Sequence, residues 1–325
     1  MIKKLFVAFV LLQTINLTLP SRVFGYEIET HAGITQEVVK FYNQSASGRT
    51  KAKIDQAQAK LIVQGARQED NDPRWFNHYY DPIHNTGLTS FPGPWLSSKE
   101  WAHSHDRQIA GLYNPILNTT SILYARLAAP EMLEESDFTW ERALKDYIQG
   151  NHDRGLIGLG HILHLIEDAS VPDHTRNDPH VAIGGVSIMD QGSPYEMWTS
   201  QFKENNTNLL DYLYGKKPYI LNSIDEYFDA MANYSNRNFY SKDTIDDPAY
   251  SEPKVDYVAN LNGRFYGFKK DLENGDFKLV FYKNFKKSLL GDANKEGMLN
   301  DPDDNSIMRA YWTRLAPKSV QYGAG

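Results

Sequence analysis

HILHLIEDASVPDH, residues 161–174, sets three histidines, two aspartates and a glutamate within fourteen positions. Ile162, Leu163, Leu165 and Ile166 are interleaved with them, so the stretch reads as a helix set against a core with a polar stripe along it. His164 and Asp168 are four residues apart and share one face, about one turn from each other. Titratable groups in such a place either satisfy one another as a buried network or grip a cation between them. The pair alone decides nothing, because His174 and Asp178 repeat the spacing. Pro172 ends or kinks the helix and leaves His174 just past it, where it can face a neighbouring ion.

Outward from this segment, helical periodicity dominates. GITQEVVKFYNQ, KIDQAQAKLIVQGARQED, EWAHSHDRQIAGLY, GLIGLGHILHLIEDA, PYEMWTSQFKENNTNLLDYLYG and SIDEYFDAMANYSNRNFY carry apolar residues at three-to-four spacing. Pro, Gly and Asn clusters such as DNDPRW and FPGPW separate them. YVANLNGRFYGFKKDLENGDFKLVFYK breaks the pattern: it alternates aromatic and polar residues and holds two Asn-Gly pairs, a hairpin signal. The expected fold is therefore all-α, a multi-helix bundle with a small β-hairpin appendage at about residues 252–284.

At 325 residues, with 41% hydrophobic and 23% charged, the chain is long enough for a large core and is not disordered in composition. Lys3 and Lys4, the apolar run LFVAFVLLQTINLTL and the small-residue site ending at Gly25 form the pattern of a secretory signal peptide, residues 1–25. A membrane anchor is the competing reading, but the run is short for a span, and no other segment is apolar enough. Cleavage would start the mature domain, 26–325, at Tyr26. It would leave 31 basic against 41 acidic residues, taking the net charge from −7 to −10. An electrostatic clamp on duplex nucleic acid is disfavoured by that charge, while a small anionic substrate is not, since a metal supplies positive charge locally. The chain is cysteine-free, so disulfides contribute nothing to its stability.

Further candidate ligands stand in order along the chain. Asp70 and His78 lie eight residues apart around a proline-containing turn, His31 follows Tyr26 by five, and Glu196 opens a later helical segment. Each has an ordinary explanation: a hydrogen-bonded structural histidine at 78, a helix cap at 70, a first-turn acid at 196 favoured by the helix dipole. As an ordered set, however, Tyr26, His31, Asp70, His78 in HYYD, His164-x3-Asp168-x5-His174 and Glu196 resemble the zinc-dependent phospholipase C and single-strand-specific nuclease superfamily. The resemblance covers roughly residues 26 to 200.

Carried over residue by residue, it implies a helical fold and up to three zinc ions. Asp70, His78, His164 and Asp168 would bind the first. Asp168 would bridge to a second, held also by His31 and the amino group and carbonyl of Tyr26. His174 and Glu196 would bind the third. The resemblance further implies a hydroxide bridging the ions that share Asp168, with Asp70 in a second role as proton acceptor. Two positions depart from the family: Tyr26 stands for the usual Trp, and Gly192 for a histidine four residues before Glu196. His180 is the candidate replacement ligand. His161, one turn before His164, is expected to orient a ligand and not to bind metal itself. Trp75, Phe76 and Tyr79 are candidate substrate contacts, able to hold a cationic head group or stack a base. The expectation is an exported zinc-dependent phosphodiester hydrolase, phospholipase C-like, acting on phospholipid with transient membrane-surface contact. The alternatives are a single-strand nuclease of the same fold and a degenerate member that binds zinc without turnover.

Overall fold

The computed structural model describes residues 26–46, 52–71, 74–89, 94–109, 136–179, 182–183, 186–187, 192–283, 285, 296–299, 301 and 303–325. The segment read as a signal peptide and His180 lie outside these residues. The chain runs through helices α1 (Ile28–Ser45), α2 (Gln56–Glu69), α3 (Ser98–Trp101), α4 (His105–Ile109), α5 (Trp140–Ile148), α6 (His152–Asp168), α7 (Pro172–Thr175), α8 (Pro194–Thr199), α9 (Ile224–Asn238) and α10 (Ser306–Gly323). Strands β1 (Ala182–Ile183) and β2 (Val186–Ser187) pair with each other, while β3 (Tyr257–Leu261), β4 (Arg264–Lys269), β5 (Phe277–Tyr282) and β6 (Gly297–Met298) form an antiparallel sheet in that order. Among the described residues no helix is long and apolar enough to cross a membrane.

Helix α6 is the centre of the fold, and its glycines explain why. A methyl at Gly65 would lie 1.9 Å from the carbonyl oxygen of Ile157, and one at Gly160 would lie 2.0 Å from that of Ile62. Backbone therefore meets backbone where α2 crosses α6, closer than any side chain allows. On the adjoining face a methyl at Gly158 would come 2.8 Å from Cβ of Ala143 on α5. The GLIGLG stretch thus docks one helix on each side, and the last two turns of α6, from His161 to Asp168, are buried on every side. Helix α2 starts at a capping box, in which Asp55 accepts from the Gln58 amide while the Gln58 side chain accepts from the Asp55 amide. The helix runs from that cap to Glu69, with Asp70 as its C-cap.

About half of the described residues are helical, beside a small four-stranded antiparallel sheet, and two parts of the all-α expectation are corrected. The hairpin is real, with Asn262 and Gly263 both at positive φ (53° and 84°) as a two-residue β-turn of this hand requires. It is no appendage, however. Phe277, Leu279, Val280 and Tyr282 of β5 are buried in the same apolar cluster as the helices, and Tyr311 of α10 donates a 2.9 Å hydrogen bond to the Leu279 carbonyl. Its fourth strand, β6, pairs through Phe281 and Met298. The long helix expected from Pro194 to Gly215 stops at Thr199 and gives way to turns and a 3₁₀ segment, Leu210–Leu213. The buried carboxylate of Glu37 captures the amides of Leu209 and Leu210 (2.8 and 3.1 Å), and Asn208 sits at φ +43°. These long-range side-chain-to-backbone bonds take up amides that a continuing helix would have used.

Candidate metal centre

The crossing of α2 over α6 brings the end of one helix to the polar stripe of the other. His164 donates Nδ1–H to the Ala66 carbonyl (2.7 Å), which leaves its Nε2 lone pair facing Asp168 Oδ2 at 3.2 Å, His78 Nδ1 at 3.3 Å and Asp70 Oδ1 at 3.6 Å. His78 arrives from the loop after a 3₁₀ turn, Arg74–Asn77, and places Nδ1 2.9 Å from Asp168 Oδ2 and 3.8 Å from Asp70 Oδ1. A backbone bond from the Tyr80 amide to the His174 carbonyl (3.1 Å) ties this loop to α7. His174 then sets Nδ1 3.3 Å from Asp168 Oδ1 and Nε2 3.2 Å from Glu196 Oε1. From α1, His31 stacks flat on His164 with ring centres 3.5 Å apart and points Nε2 at Asp168 Oδ1, 3.3 Å away.

Asp168 is thus ringed by four imidazoles, and all five groups are buried. Two overlapping sets have ligand atoms close enough for one ion each: His31, Asp70 and His164, and His78, His164 and Asp168, with all donor atoms within 4.8 Å of one another. His31 Nε2 and both Asp168 oxygens are buried with no hydrogen-bond partner among the described residues. Leaving such groups unmatched is costly, and the chemistry of the donor set, imidazole nitrogen and carboxylate oxygen, fits zinc.

The electrostatics follow from burial against partnership. Burial opposes the Asp168 charge, but His174, His164, His78 and His31 outweigh it and hold the carboxyl well below its ordinary range. Burial likewise opposes charge on His78 and His174, yet Asp168, helped by the other neighbouring carboxylates, carries them up to about 10 and about 9. Burial and the adjacent His164 push His31 down to about 3, and burial raises Asp70 to about 6. Asp168 is the fixed anion of the cluster, and a metal ion binding here would have to displace the protons that gather round it.

An outer ring of contacts holds this cluster. Glu69 accepts from Arg74 Nε (2.8 Å) and Trp101 Nε1 (2.8 Å), bonds His161 Nδ1, and lies 3.8 Å from His78 Nε2. His161 sits beyond His164, bonded to Glu69 and stacked on Phe138. Glu167 contacts His31 Nδ1 at 2.7 Å and accepts from Thr35 Oγ1 at 2.7 Å. Tyr26 is buried, edge-on to the His31 ring, with its hydroxyl bonded to Tyr195 (2.8 Å) and Ser170 (3.1 Å). Those two bonds give the position a use for a phenol that an indole could not supply in the same way. Glu69, Arg74, Thr35 and Glu167 were not singled out from sequence. Glu69 and Glu167 each directly precede a predicted ligand, but a carboxylate beside another has no periodic signature.

The third expected ion site is thinner. His174 and Glu196 meet, but Gly192 has φ +89°, a conformation that strains any side chain. Gly192→His is therefore expected to cost about 1–3 kcal/mol of stability and to leave the zinc count unchanged. Thermal denaturation with elemental analysis checks this; a stable variant with one more zinc would show the loop can adapt. Of the substrate candidates, Tyr79 stacks on His174 with centres 4.5 Å apart, and Trp75 and Phe76 stack on each other at 3.5 Å, with Trp95 beyond Phe76. Trp75 and Tyr79 are buried, and Tyr79 touches the cluster through its stack on His174. Outside the cluster, His103 bonds Glu141 and Asp225, His84 bonds Asp81, and His105 bonds Asp137.

No protein-family model matches the chain, and no curated protein matches it. Among solved structures it is similar to the alpha toxin from Clostridium absonum, at 14% identity and a TM-score of 0.37, the match covering 66% of this chain and 54% of the toxin. It is also similar to the Clostridium perfringens alpha-toxin isolated from an avian strain, at 13% identity and a TM-score of 0.34, with the same coverage. The chain thus spans about half the length of these structures. These are distant likenesses, and the functional reading rests on the cluster itself.

Proposed function

We propose that the protein is an exported zinc-dependent phosphodiester hydrolase, phospholipase C-like in its chemistry. The observation that carries this reading is the buried ring of His31, His78, His164 and His174 around Asp168, with Asp70 and Glu196 at its margins. His78, His164, Asp70 and Asp168 would hold a first ion, His31 and Asp168 a second with the backbone of Tyr26, and His174 with Glu196 a weaker third. Zinc in such a setting lowers the pKa of water toward neutrality and neutralises charge on phosphoryl oxygens.

The chain's own groups have defined tasks. Asp168 fixes the spacing of the ligands because each of its oxygens faces two imidazoles. Asp70, at about 6 in the metal-free cluster and 10% exposed, would accept a proton at the solvent edge. Tyr79 closes one side of the site against His174 and excludes water there. The negative overall charge supports a small phosphodiester over a long nucleic acid, and phospholipid is the favoured substrate class.

The test is zinc per chain by elemental analysis together with phosphatidylcholine hydrolysis. Two to three zinc ions per chain, with hydrolysis lost on chelation and restored by zinc, is the expected result. Zinc without hydrolysis of phospholipid or single-stranded nucleic acid would instead assign the metal a structural role, and no zinc would end the enzyme reading.

A further inference from the structure

Glu167 precedes Asp168 in the chain but reaches only the outer nitrogen of His31, and its surroundings are unusual for a carboxylate. It is 1% exposed and makes two close polar contacts, to Thr35 and His31. Because the Thr35 hydroxyl donates to Oε1, that oxygen is fixed as an acceptor, and Oε2 is aimed at His31 Nδ1. Both partners come from α1, four residues apart on one face of it, while Glu167 comes from the last turn of α6. A buried carboxylate with no close cation destabilises a fold unless something else requires it. The requirement is visible in the ring it touches. With Glu167 in its carboxylate form, His31 donates Nδ1–H to it and presents its other nitrogen, Nε2, as a lone pair toward Asp168 Oδ1.

We propose that Glu167, steadied by Thr35, is a positioning residue that fixes the tautomer and plane of His31 and so governs occupancy of the ion shared by His31 and Asp168. The inference rests on the metal-centre reading above and adds to it a residue pair outside the expected ligand set. Carboxylate partners of ligating imidazoles raise ligand basicity and hold ring orientation, and their loss weakens metal binding roughly 10- to 100-fold. The effect is selective here. The His164 ring is held by the Ala66 carbonyl, a bond that owes nothing to Glu167, so the ion at His78 and His164 keeps its oriented ligand.

The experiment compares the purified mature wild type, beginning at Tyr26, with Glu167→Ala, Glu167→Gln and Thr35→Val in the same form. Zinc retained after equilibration with a graded competing chelator is measured, beside the melting temperature of each metal-free protein. Glu167→Ala is expected to weaken one ion by roughly 10- to 100-fold and leave the tightest ion unchanged. Glu167→Gln, whose amide oxygen can still accept from Nδ1–H, is expected to recover part of the loss. Thr35→Val is expected to fall between Gln and wild type. Equal weakening of every ion, alongside a lowered metal-free melting temperature, would make Glu167 a structural residue and overturn the proposal. So would unchanged zinc affinity in Glu167→Ala. A wild type that binds no zinc would remove the metal-centre reading itself and this inference with it, whereas a zinc-loaded wild type with an indifferent Glu167→Ala would remove the inference alone.

Discussion

Asp168→Ala is expected to strip about two zinc ions from the protein and to abolish phosphodiester hydrolysis. The carboxylate faces His78 at 2.9 Å, His164 at 3.2 Å, and His31 and His174 at 3.3 Å each. Under the proposed reading, removing it deletes a donor shared by two ions, and it leaves four imidazoles without the carboxylate they surround. The metal-free protein should suffer as well. Breaking a buried charge pair by removing one partner costs about 3–5 kcal/mol, which for a chain of this size lowers the melting temperature by on the order of 10 °C. Asp168→Asn separates the two effects, since it keeps the shape and loses the charge. Its zinc count should fall while its fold survives. Elemental analysis and calorimetry of both variants make the check, and a full zinc complement in Asp168→Ala would refute the bridging role.

Gly160→Ala should be nearly as damaging, although residue 160 is no ligand. An added methyl meets the Ile62 carbonyl oxygen at 2.0 Å and the Ala66 amide nitrogen at 2.8 Å, and neither backbone group can swing away. In an open helix the same change would be favourable by about 1 kcal/mol, so the sign of the result is diagnostic. Here the helices must part, and overpacking of this kind costs about 3 kcal/mol. The same parting draws Ala66, Glu69 and Asp70 away from His161 and His164. Zinc retention is therefore expected to fall together with the melting temperature, by roughly 10 °C. Gly65→Ala, whose methyl would meet Ile157 from the other side, should behave alike. Retained zinc in a variant that melts normally would mean that the crossing distance does not set the site.

How much of this was written locally in the chain can be judged from particular residues. The stripe of α6 was legible because His164 and Asp168 fall on one helical face among buried leucines and isoleucines. Asp70, His78, His174 and Glu196 were legible only as an ordered set, since each alone has an ordinary explanation. Glu69 and Glu167 were not. What gives them a role is Arg74 and Trp101 for the one and Thr35 for the other, and a contact between residues 35 and 167 leaves no mark on neighbouring positions. The sheet was half legible for the same reason. The Asn262-Gly263 turn announces its hairpin locally, while the pairing of Phe281 with Met298 spans a gap that no turn signal encodes. The false helix after Thr199 shows the converse, a good local pattern overruled by Glu37 from 172 residues upstream.

The imidazoles that meet at Asp168 come from positions as far apart as His31 and His174. Until α1, α2 and α6 have packed, no two of the distant donors are held together long enough to chelate, and closing loops of this length is paid for in chain entropy before any bond rewards it. Metal would therefore be captured by a protein already folded and not serve as a seed for folding. Its grip would be felt on the way out, as a slower rate of unfolding, while the rate of folding stayed that of the bare chain.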